Sequence, residues 1–503
     1  MLSFLMVQTK LFNRKGRIVK LKPTQEQSDI LAAFHDTADS LKIQAYAGTG
    51  KTATLLMIAE ANPGMHFQYV AFNKALEREA KAKFPSNVKV NTAHALAYRA
   101  TGMFDKQEKL RSRMSPLDTM RAAGINEPPG YRPYAWWVMV RDVVRNFERS
   151  ADSQIDVKHV SSSGVPAYLH TSLADDAKRL WRARVEDSSQ VAMEHDTYLK
   201  VWQLEGGKIK ADCILFDEAQ DANGSMLAVV AAQKARQVYV GDTHQQIYGW
   251  RGAVNAMDHI RTREHAITQS FRFGDAVARA GSNVLRAKGL QGVNLRGLPE
   301  IDSCIDVVDY KKQYTSIHRT NADIIMHVFR KLPNIPFHVV GGVDDLIRFV
   351  ESGHALRSGD LRGVKDDALR HFKSWYDLQA AAEFEPELRM LQELLDTYSD
   401  VRELVRRLAR TTHEGNAAVT LTTAHKAKGR EWDQVRIADD FLDLMDNARI
   451  MRMQQHRLIE EINLIYVAVT RAKLVLDVSE TRLGDIIQGA HFPMELALML
   501  RGV

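Results

Sequence analysis

Short apolar segments that end in polar or glycine-containing turns recur along the chain, with helical patterns between them. The segments lie at residues 67–72, 213–216, 238–240, 337–340, 419–422, 435–438 and 474–478. This alternation predicts an α/β fold built on parallel sheets. Because open parallel sheets bind ligands outside the carboxyl ends of their strands, we expect the functional residues to follow these segments.

Two stretches break the alternation, and helical patterns predominate in both. We interpret them as mainly helical insertions into α/β cores. The first core domain is predicted at residues 1–100 and 206–265, with residues 101–205 inserted. The second core domain is predicted at residues 266–344 and 413–503, with the smaller insertion at residues 345–412.

The composition is that of an ordinary globular chain with a mild basic excess. The 503 residues include 68 Lys and Arg against 62 Asp and Glu, which permits a nucleic-acid partner without requiring one. Cys213 and Cys304 are the only cysteines, which excludes a disulfide framework and a cysteine metal cluster. We therefore expect a reducing, cytoplasmic location, at the nucleoid in a prokaryote or in the nucleus of a eukaryote. Because no apolar run is long enough to span a bilayer, no membrane partner is expected.

The sequence AYAGTGKT, from Ala45 to Thr52, lies between an apolar segment and a helical pattern. In that context glycines let backbone N–H groups approach a polyphosphate, and the following helix N-terminus adds a favourable dipole. The residues expected around the phosphates are Ala47, Gly48, Thr49, Gly50 and Lys51. Lys51 would reach the β- and γ-phosphates, and the Thr52 hydroxyl would ligate Mg²⁺. Ala45 stands where such loops usually have their first glycine.

A second motif complements this loop. The apolar residues 214–216 are followed by two carboxylates, Asp217 and Glu218. Asp217 suits Mg²⁺, directly or through water, and Glu218 suits activation of the attacking water. The two motifs together predict hydrolysis of a nucleoside triphosphate.

Two glutamines are candidates for reading the nucleotide. Gln25 precedes the loop by about one helix, and its amide could read an adenine edge, although a solvated helix glutamine is the commoner case. Gln245 follows the segment 238–240 and could sense the γ-phosphate. Trp250 lies a few residues further on and could stack on a base, with a buried core tryptophan as the alternative.

Two arginines have contexts that suit a phosphate. Arg272 in QSFRF and Arg471 in VAVTRAK would stabilise charge that develops on the γ-phosphoryl oxygens. Phe271 could cover one face of the adenine, and Glu431 could accept a ribose hydroxyl.

Related patterns in the two predicted cores suit a nucleic-acid backbone and its bases. Thr423 and His425 in TTAHKAKGREW are candidates for backbone contacts. Phe72 and His94 could stack on bases, and Thr92 could bind a phosphate.

In this order the motifs resemble those of the UvrD/Rep/PcrA-like DNA helicases of superfamily 1A. The series is Gln25, AYAGTGKT (45–52), AFNKA (71–75), NTAHALA (91–97), DEAQD (217–221), VGDTHQQIYGWRGA (240–253), QSFRF (269–273), HRTNA (318–322), TTAHKAKGREW (422–432) and NLIYVAVTRAK (463–473). Together with HDTYLKVWQL (195–204), AYAGTGKT and DEAQD are most similar to the F-box DNA helicase branch. We expect no F-box, because little sequence precedes Gln25.

The resemblance implies two RecA-like P-loop NTPase domains that hydrolyse ATP with Mg²⁺ in the cleft between them. It implies 3′–5′ translocation on single-stranded DNA, unwinding at single-strand/duplex junctions and, as a further expectation, a protein partner in repair or phage defence. The implied ATPase residues are Lys51, Thr52, Asp217, Glu218, Gln245, Arg272 and Arg471. The implied DNA-side residues are Phe72, Asn73, Thr92, His94, Tyr248, Trp250, Arg251, Thr423 and His425.

Two departures from the family leave alternatives open. Ala53 stands where the family often has an arginine that stacks on adenine, and the second insertion is short. One alternative is therefore a translocase that strips proteins from single strands but barely unwinds. The other is a regulatory ATPase subunit that senses DNA and signals to a partner.

Overall fold

The computed structural model describes residues 9–12, 18–111, 114–160, 165–249, 256–290, 292–332, 334–366, 368–370, 372–383, 386–398, 400–490, 496 and 500. The chain divides into two compact units. The first unit comprises residues 1–114, 118–126 and 139–271, and the second comprises residues 115–117, 127–138 and 272–503. Residues 115–117 and 127–138 thus group with the second unit although they lie within the predicted first insertion.

The first unit is built on a parallel sheet. An antiparallel hairpin of β1 (Thr9–Phe12) and β2 (Ile18–Leu21) precedes the sheet in the chain. The strands of the sheet are β3 (Leu41–Ala45), β4 (Phe67–Ala71), β5 (Val88–Thr92), β6 (Cys213–Phe216), β7 (Arg236–Gly241) and β8 (Arg263–Ile267). Their order is β5-β4-β6-β7-β3-β8, and every neighbouring pair is parallel. The strands β3, β6 and β7, which precede the predicted nucleotide motifs, therefore lie side by side.

The helices before the end of β8 comprise those that pack on this sheet and those of the first insertion. They are α1 (Gln25–Asp36), α2 (Lys51–Ala61), α3 (Lys74–Lys83), α4 (Ala93–Ala100), α5 (Gln107–Arg111), α6 (Pro116–Ala122), α7 (Pro133–Arg149), α8 (His170–Val185), α9 (His195–Leu204), α10 (Gly224–Ala231) and α11 (Ala256–His259). Ile30 and Leu55 bring α1 and α2 into one apolar core. Leu199 and Met226 bring α9 and α10 into the other. The insertion therefore shares the core of the sheet through α9.

The second unit repeats the plan with a second parallel sheet. Its strands are β9 (Cys304–Ile305), β10 (Tyr314–His318), β11 (Phe337–Val339), β12 (Val419–Thr423), β13 (Trp432–Ile437) and β14 (Ala472–Asp477), in the order β11-β12-β10-β13-β14-β9. Its helices are α12 (Asp275–Ala287), α13 (Asn321–Lys331), α14 (Asp344–Arg357), α15 (Trp375–Ala382), α16 (Pro386–Thr397), α17 (Val401–Leu408), α18 (Ala424–Ala427), α19 (Asn447–Ile450), α20 (Gln455–Val469) and α21 (Gly484–Gln488).

The short second insertion is part of the core of this unit. Leu356 of α14, Leu391 of α16 and Leu404 of α17 belong to the same buried cluster as Phe337 and Leu421 of the sheet. The helices α14 to α17 therefore share one apolar core with the strands.

The prediction of two parallel α/β sheets with helical insertions is confirmed. No helix in the described part of the chain is both long and apolar enough to cross a membrane. The exact domain boundaries proposed from the sequence stay a prediction.

Candidate nucleotide and nucleic-acid site

The loop between β3 and α2 has the backbone that phosphate binding requires. Gly48 and Gly50 have φ angles of 74° and 82°, in the left-handed region that favours glycine. The Thr49 hydroxyl closes the loop by donating to the Tyr46 carbonyl at 2.8 Å. Ala45 is the buried last residue of β3, and because any residue adopts an extended strand backbone, this position needs no glycine.

Lys51 opens α2 and meets the catalytic candidate of the second motif. Its Nζ lies 2.9 Å from Oε2 of Glu218. Burial lowers the pKa of Lys51, but the carboxylates of Glu218, Asp242 and Asp217 outweigh burial and leave the pKa raised. Lys51 therefore keeps its positive charge at the N-terminus of α2, where a phosphate would bind.

Asp217 is a buried carboxylate with hydroxyl groups around it. Its Oδ2 accepts from the Thr52 hydroxyl at 3.3 Å and from the Tyr69 hydroxyl. Burial and the neighbouring Glu218 raise the pKa of Asp217 to about 6. A bound divalent cation would offset the negative charge of the buried Asp217 carboxylate. The Asp217 carboxylate and the Thr52 hydroxyl are also the hard oxygen donors that Mg²⁺ prefers. The residues present therefore fit Mg²⁺.

Glu218 has an unusual backbone conformation. Its φ is 52°, and among the described residues it is the only one other than glycine with a positive φ. Gln220 holds its carboxylate by donating from Nε2 to Oε2 at 2.5 Å. The Gln220 Oε1 in turn accepts the backbone N–H of Asp242 at 3.0 Å. Gln220 thus links the Glu218 carboxylate to the backbone after β7 through two hydrogen bonds.

The same connection reaches Gln245. Gln245 donates from Nε2 to Oδ2 of Asp242 at 2.6 Å. Burial raises the pKa of Asp242. A Cβ on Gly241 would lie 2.5 Å from the Gln220 Oε1, so a larger residue at this position would displace the Gln220 amide. Glu218, Gln220, Asp242 and Gln245 therefore form one hydrogen-bonded network, and Gln220 is a member that the sequence analysis missed.

Two glutamines at the start of α1 have different surroundings, and the prediction for Gln25 at the adenine stays a prediction. Gln25 is exposed, and its amide donates to Asp29 at 2.8 Å. Gln27, one half-turn later, is buried, donates to the Thr54 hydroxyl at 3.1 Å and accepts from the backbone N–H of Thr24 at 3.0 Å. Since Thr24 caps α1, Gln27 is the third helical residue and points toward the loop, whereas Gln25 does not.

Phe271 lies on the same side of the loop as Gln27. Its backbone N–H donates to the Gly48 carbonyl at 2.8 Å. A Cβ on Gly50 would lie 3.5 Å from both the Phe271 ring and the Gln27 amide. The Phe271 side chain is 42% exposed, so its ring is available to another flat group.

In the second unit, the structure brings both predicted arginines together with Glu431. Arg272 donates from Nε to Glu431 Oε2 at 3.0 Å and from Nη1 to the Thr470 carbonyl at 3.0 Å. Arg471 is buried, and it donates to the Val467 carbonyl at 2.8 Å and to the Thr470 hydroxyl at 3.1 Å. Glu431, expected at a ribose, here binds Arg272.

Several DNA-side candidates of the first unit also cap helices. Phe72 and Tyr248 stack with ring centroids 5.9 Å apart at 20°. Asn73 caps α3, and Thr92 caps α4 by accepting from the Ala95 N–H at 3.1 Å. His94, half-buried in the first turn of α4, lies 3.2 Å from Asp196. Trp250 and Arg251 lie outside the described residues.

The second unit repeats the Thr-Ala-His arrangement. Thr423 ends β12 and caps α18 by accepting from the Lys426 N–H at 3.3 Å. His425 then occupies the same helical position in α18 as His94 does in α4. The two sheets therefore present equivalent threonine and histidine pairs at the carboxyl ends of strands.

A further polar cluster in the second unit fixes a turn. The Asp440 carboxylate accepts the backbone N–H groups of Arg319 and Thr320, each at 2.8 Å. Asp323 binds the buried His318 at 2.6 Å. These contacts hold the turn between β10 and α13, so we assign the cluster to the fold.

Comparison with known proteins agrees with this geometry. The UvrD/REP helicase N-terminal domain family matches residues 71–261, and the UvrD-like helicase C-terminal domain family matches residues 299–482. F-box DNA helicase protein 1 of Schizosaccharomyces pombe is 33% identical over 506 residues, and F-box DNA helicase 1 of Gallus gallus is 30% identical over 507. These alignments cover 91% and 92% of this chain but 57% and 49% of the two relatives.

A probable DNA helicase of Mycoplasma pneumoniae is 26% identical over 276 residues, which cover 52% of this chain and 42% of that protein. The chain thus spans about half the length of the curated relatives it matches. The ordered motifs, the two parallel sheets and these matches show that the chain belongs to the UvrD-like family of superfamily 1 helicases.

Proposed function

We propose that this chain is an ATP-dependent DNA helicase or translocase that moves 3′–5′ on single-stranded DNA. The observation that carries the proposal is the hydrogen-bonded network from Glu218 through Gln220 and Asp242 to Gln245. Three residues after Gln245, Tyr248 stacks on Phe72. A hydrolytic carboxylate is therefore connected to a pair of aromatic rings suited to nucleobases.

The hydrolytic chemistry follows from the positions of the charges. The loop N–H groups and Lys51 hold the phosphates, and Glu218 orients the attacking water and accepts its proton. Mg²⁺ held by Thr52 and Asp217 would neutralise charge on the β- and γ-phosphate oxygens. Arg272 and Arg471 supply guanidinium charge to the γ-phosphoryl oxygens, for which Arg272 must exchange Glu431 for phosphate.

Coupling to DNA would use the same network. Loss of the γ-phosphate changes what Gln245 can bind, and Gln245 shares its short segment with Tyr248. The Phe72 and Tyr248 centroids are 5.9 Å apart, whereas a base between them needs roughly twice the 3.5 Å van der Waals contact distance. Base insertion therefore requires the two rings to separate. We propose that ATP hydrolysis is coupled to this separation.

Replacing Gln27 by Glu should weaken ATP binding more than it weakens GTP binding. The substitution keeps the acceptor for Thr24 but removes the amide donor, which we propose reads the adenine edge. Loss of that hydrogen bond is expected to raise the KM for ATP about fivefold to tenfold. Steady-state hydrolysis of ATP and GTP measures the effect. The matched control is Gln25→Glu, and equal effects of both substitutions would contradict the assignment of Gln27.

Single-stranded DNA should strongly stimulate ATP hydrolysis by the unmodified chain. The reason is that base insertion and hydrolysis share the network between Glu218 and Tyr248. Lys51→Ala serves as the blank, because loss of a preorganised charge at the phosphates is expected to lower turnover about 10²–10³-fold. Phosphate release with and without a homopolymeric oligonucleotide measures the stimulation.

Polarity is tested separately with 3′- and 5′-tailed duplexes. Unwinding of the 3′-tailed duplex alone is the expected result, and unwinding of the 5′-tailed duplex alone would overturn the direction. Hydrolysis that DNA leaves unchanged would overturn the motor and favour a signalling ATPase.

A translocase that barely unwinds is the second candidate. It is favoured by the short insertion α14 to α17, which shares one core with the sheet. Such helices have little freedom to engage a duplex as a separate module. DNA-stimulated hydrolysis that displaces a bound protein from a single strand, without separating a tailed duplex, would identify it.

A further inference from the structure

His94 is held by a carboxylate from the first insertion. Its Nε2 lies 3.2 Å from Oδ1 of Asp196, which stands in the first turn of α9. The other oxygen of Asp196 accepts from Nε of Arg149, the last residue of α7, at 3.1 Å. The carboxylate thus joins a core-domain histidine to two helices of the insertion.

The start of α9 is anchored so that this carboxylate has a fixed position. Glu194, the N-cap of α9, accepts from Arg184 at 2.5 Å. Arg184 also donates to the buried Glu148 at 3.0 Å, and Glu148 accepts from Thr197 of α9 at 2.5 Å. Because Arg184, Glu148 and Thr197 are buried and hydrogen-bonded to one another, displacing the first turn of α9 would leave buried charges without partners.

The carboxylate determines which nitrogen of His94 carries a proton. Burial raises the pKa of Asp196, but the hydrogen bond from His94 and the pairing with Arg149 outweigh burial and lower it to about 2. An ionised carboxylate only accepts, so Nε2 must be the protonated nitrogen. Within the described part of the chain, the structure shows no hydrogen bond to Nδ1, which leaves that atom for another partner.

A ring contact restricts the orientation further. Tyr198, also on α9, meets His94 edge-on, with centroids 6.0 Å apart at 90°. Tyr198 is itself buried and packed edge-on against Tyr98. The imidazole is therefore restrained at one edge by Asp196 and against a ring by Tyr198.

We infer that Asp196 is a positioning residue for DNA binding: it fixes the tautomer and orientation in which His94 presents its other nitrogen to the DNA strand. The inference rests on the proposed function, because it takes His94 as a DNA contact. It goes further in assigning a role in strand binding to the insertion, through one side chain that need not touch DNA. It also explains why an ionised carboxylate is held beside a histidine rather than left in solvent.

Replacing Asp196 by Asn should raise the DNA concentration that gives half-maximal ATPase stimulation. The amide keeps the shape but loses the charge, so His94 is no longer held in one tautomer. We expect an increase of about tenfold, the scale of losing a hydrogen bond to a charged group, with kcat at saturating DNA within about twofold. Asp187→Asn is the matched control, because Asp187 is an exposed insertion carboxylate paired with Lys106 at 2.7 Å. It should not shift the curve.

A double-mutant cycle separates positioning from a general structural role. In a His94→Ala background, Asp196→Asn should cause no further loss, because its effect passes through His94. Additive losses would overturn the inference, as would an unchanged half-saturating concentration in the single variant. If single-stranded DNA did not stimulate ATP hydrolysis by the unmodified chain, the proposed function itself would be overturned. That measurement is made separately from those on the variants.

NMR of the histidine side chains reports the tautomer of His94 directly, which a general loss of stability would not change. With ¹⁵N-labelled histidine, the signal that His94→Ala removes should report a proton on Nε2 in the unmodified chain. Asp196→Asn should change the tautomer that this signal reports while leaving the other histidine signals in place. Retention of the same tautomer in Asp196→Asn would contradict the inference.

Discussion

Replacing Glu218 by Gln is expected to lower ATP turnover about 10³-fold while ATP binding is retained. The amide matches the carboxylate in shape, but it cannot accept the proton of the attacking water. It also removes a negative charge 2.9 Å from the Lys51 ammonium, so the affinity for the phosphates should not fall. Single-turnover hydrolysis measures the chemical step, and a fluorescent ATP analogue measures binding.

Glu264→Gln is the control for this substitution. Glu264 is a half-exposed carboxylate of β8 that pairs with Lys42 at 2.7 Å rather than with Lys51. It should hydrolyse ATP at the unmodified rate. If Glu218→Gln also did so, Glu218 would not be the residue that activates water.

Replacing Arg272 by Ala is expected to lower turnover by about 10³-fold or more, the range observed when an arginine that stabilises a phosphoryl transition state is removed. The effect should appear in kcat rather than in ATP binding, because charge on the γ-phosphoryl oxygens increases in the transition state. Arg272→Lys should recover only part of the loss, since an ammonium cannot reproduce the guanidinium donors that now serve Glu431 and Thr470.

Arg348→Ala is the matched control, because Arg348 lies in the same unit and pairs with the exposed Asp345 at 3.2 Å. Thermal unfolding should show that both variants are folded. Equal turnover of Arg272→Ala and Arg348→Ala would remove Arg272 from the reaction.

The residues that local spacing defines were predictable from the sequence. A glycine-rich loop before a helix and two carboxylates after an apolar strand specify Lys51, Thr52, Asp217 and Glu218, and the structure places these side chains within hydrogen-bond reach in two pairs. Parallel strands explain why: β3 and β6 both end at the same edge of one sheet, with β7 between them.

The glutamine that faces the loop could not be identified from spacing alone, because the position of a helix cap decides it. Gln25 and Gln27 are both plausible by spacing from the loop. Only the cap at Thr24 sets which of them faces α2, where Gln27 meets Thr54. A two-residue difference rotates a helical side chain by about 200°, so a small error in the start of α1 changes the face.

Contacts between distant parts of the chain could not be predicted from spacing. Tyr69 reaches Asp217 from a neighbouring strand, and Asp196 reaches His94 from an insertion about one hundred residues later. Neither contact leaves a periodic signal in the sequence. The Thr-Ala-His similarity of the two units was visible, but the capping by Thr92 and Thr423 required the structure.

At Glu218, the left-handed backbone lowers conformational stability at the same position that we propose is needed for hydrolysis. A side chain in this conformation costs about 1 kcal/mol relative to glycine, which adopts it freely. Glycine at 218 would relieve this strain, but it would also remove the carboxylate that pairs with Lys51 and that we propose activates water. Stabilising substitutions should therefore be sought at other positions, because relief of the backbone strain and the proposed role of this carboxylate cannot be combined in one residue.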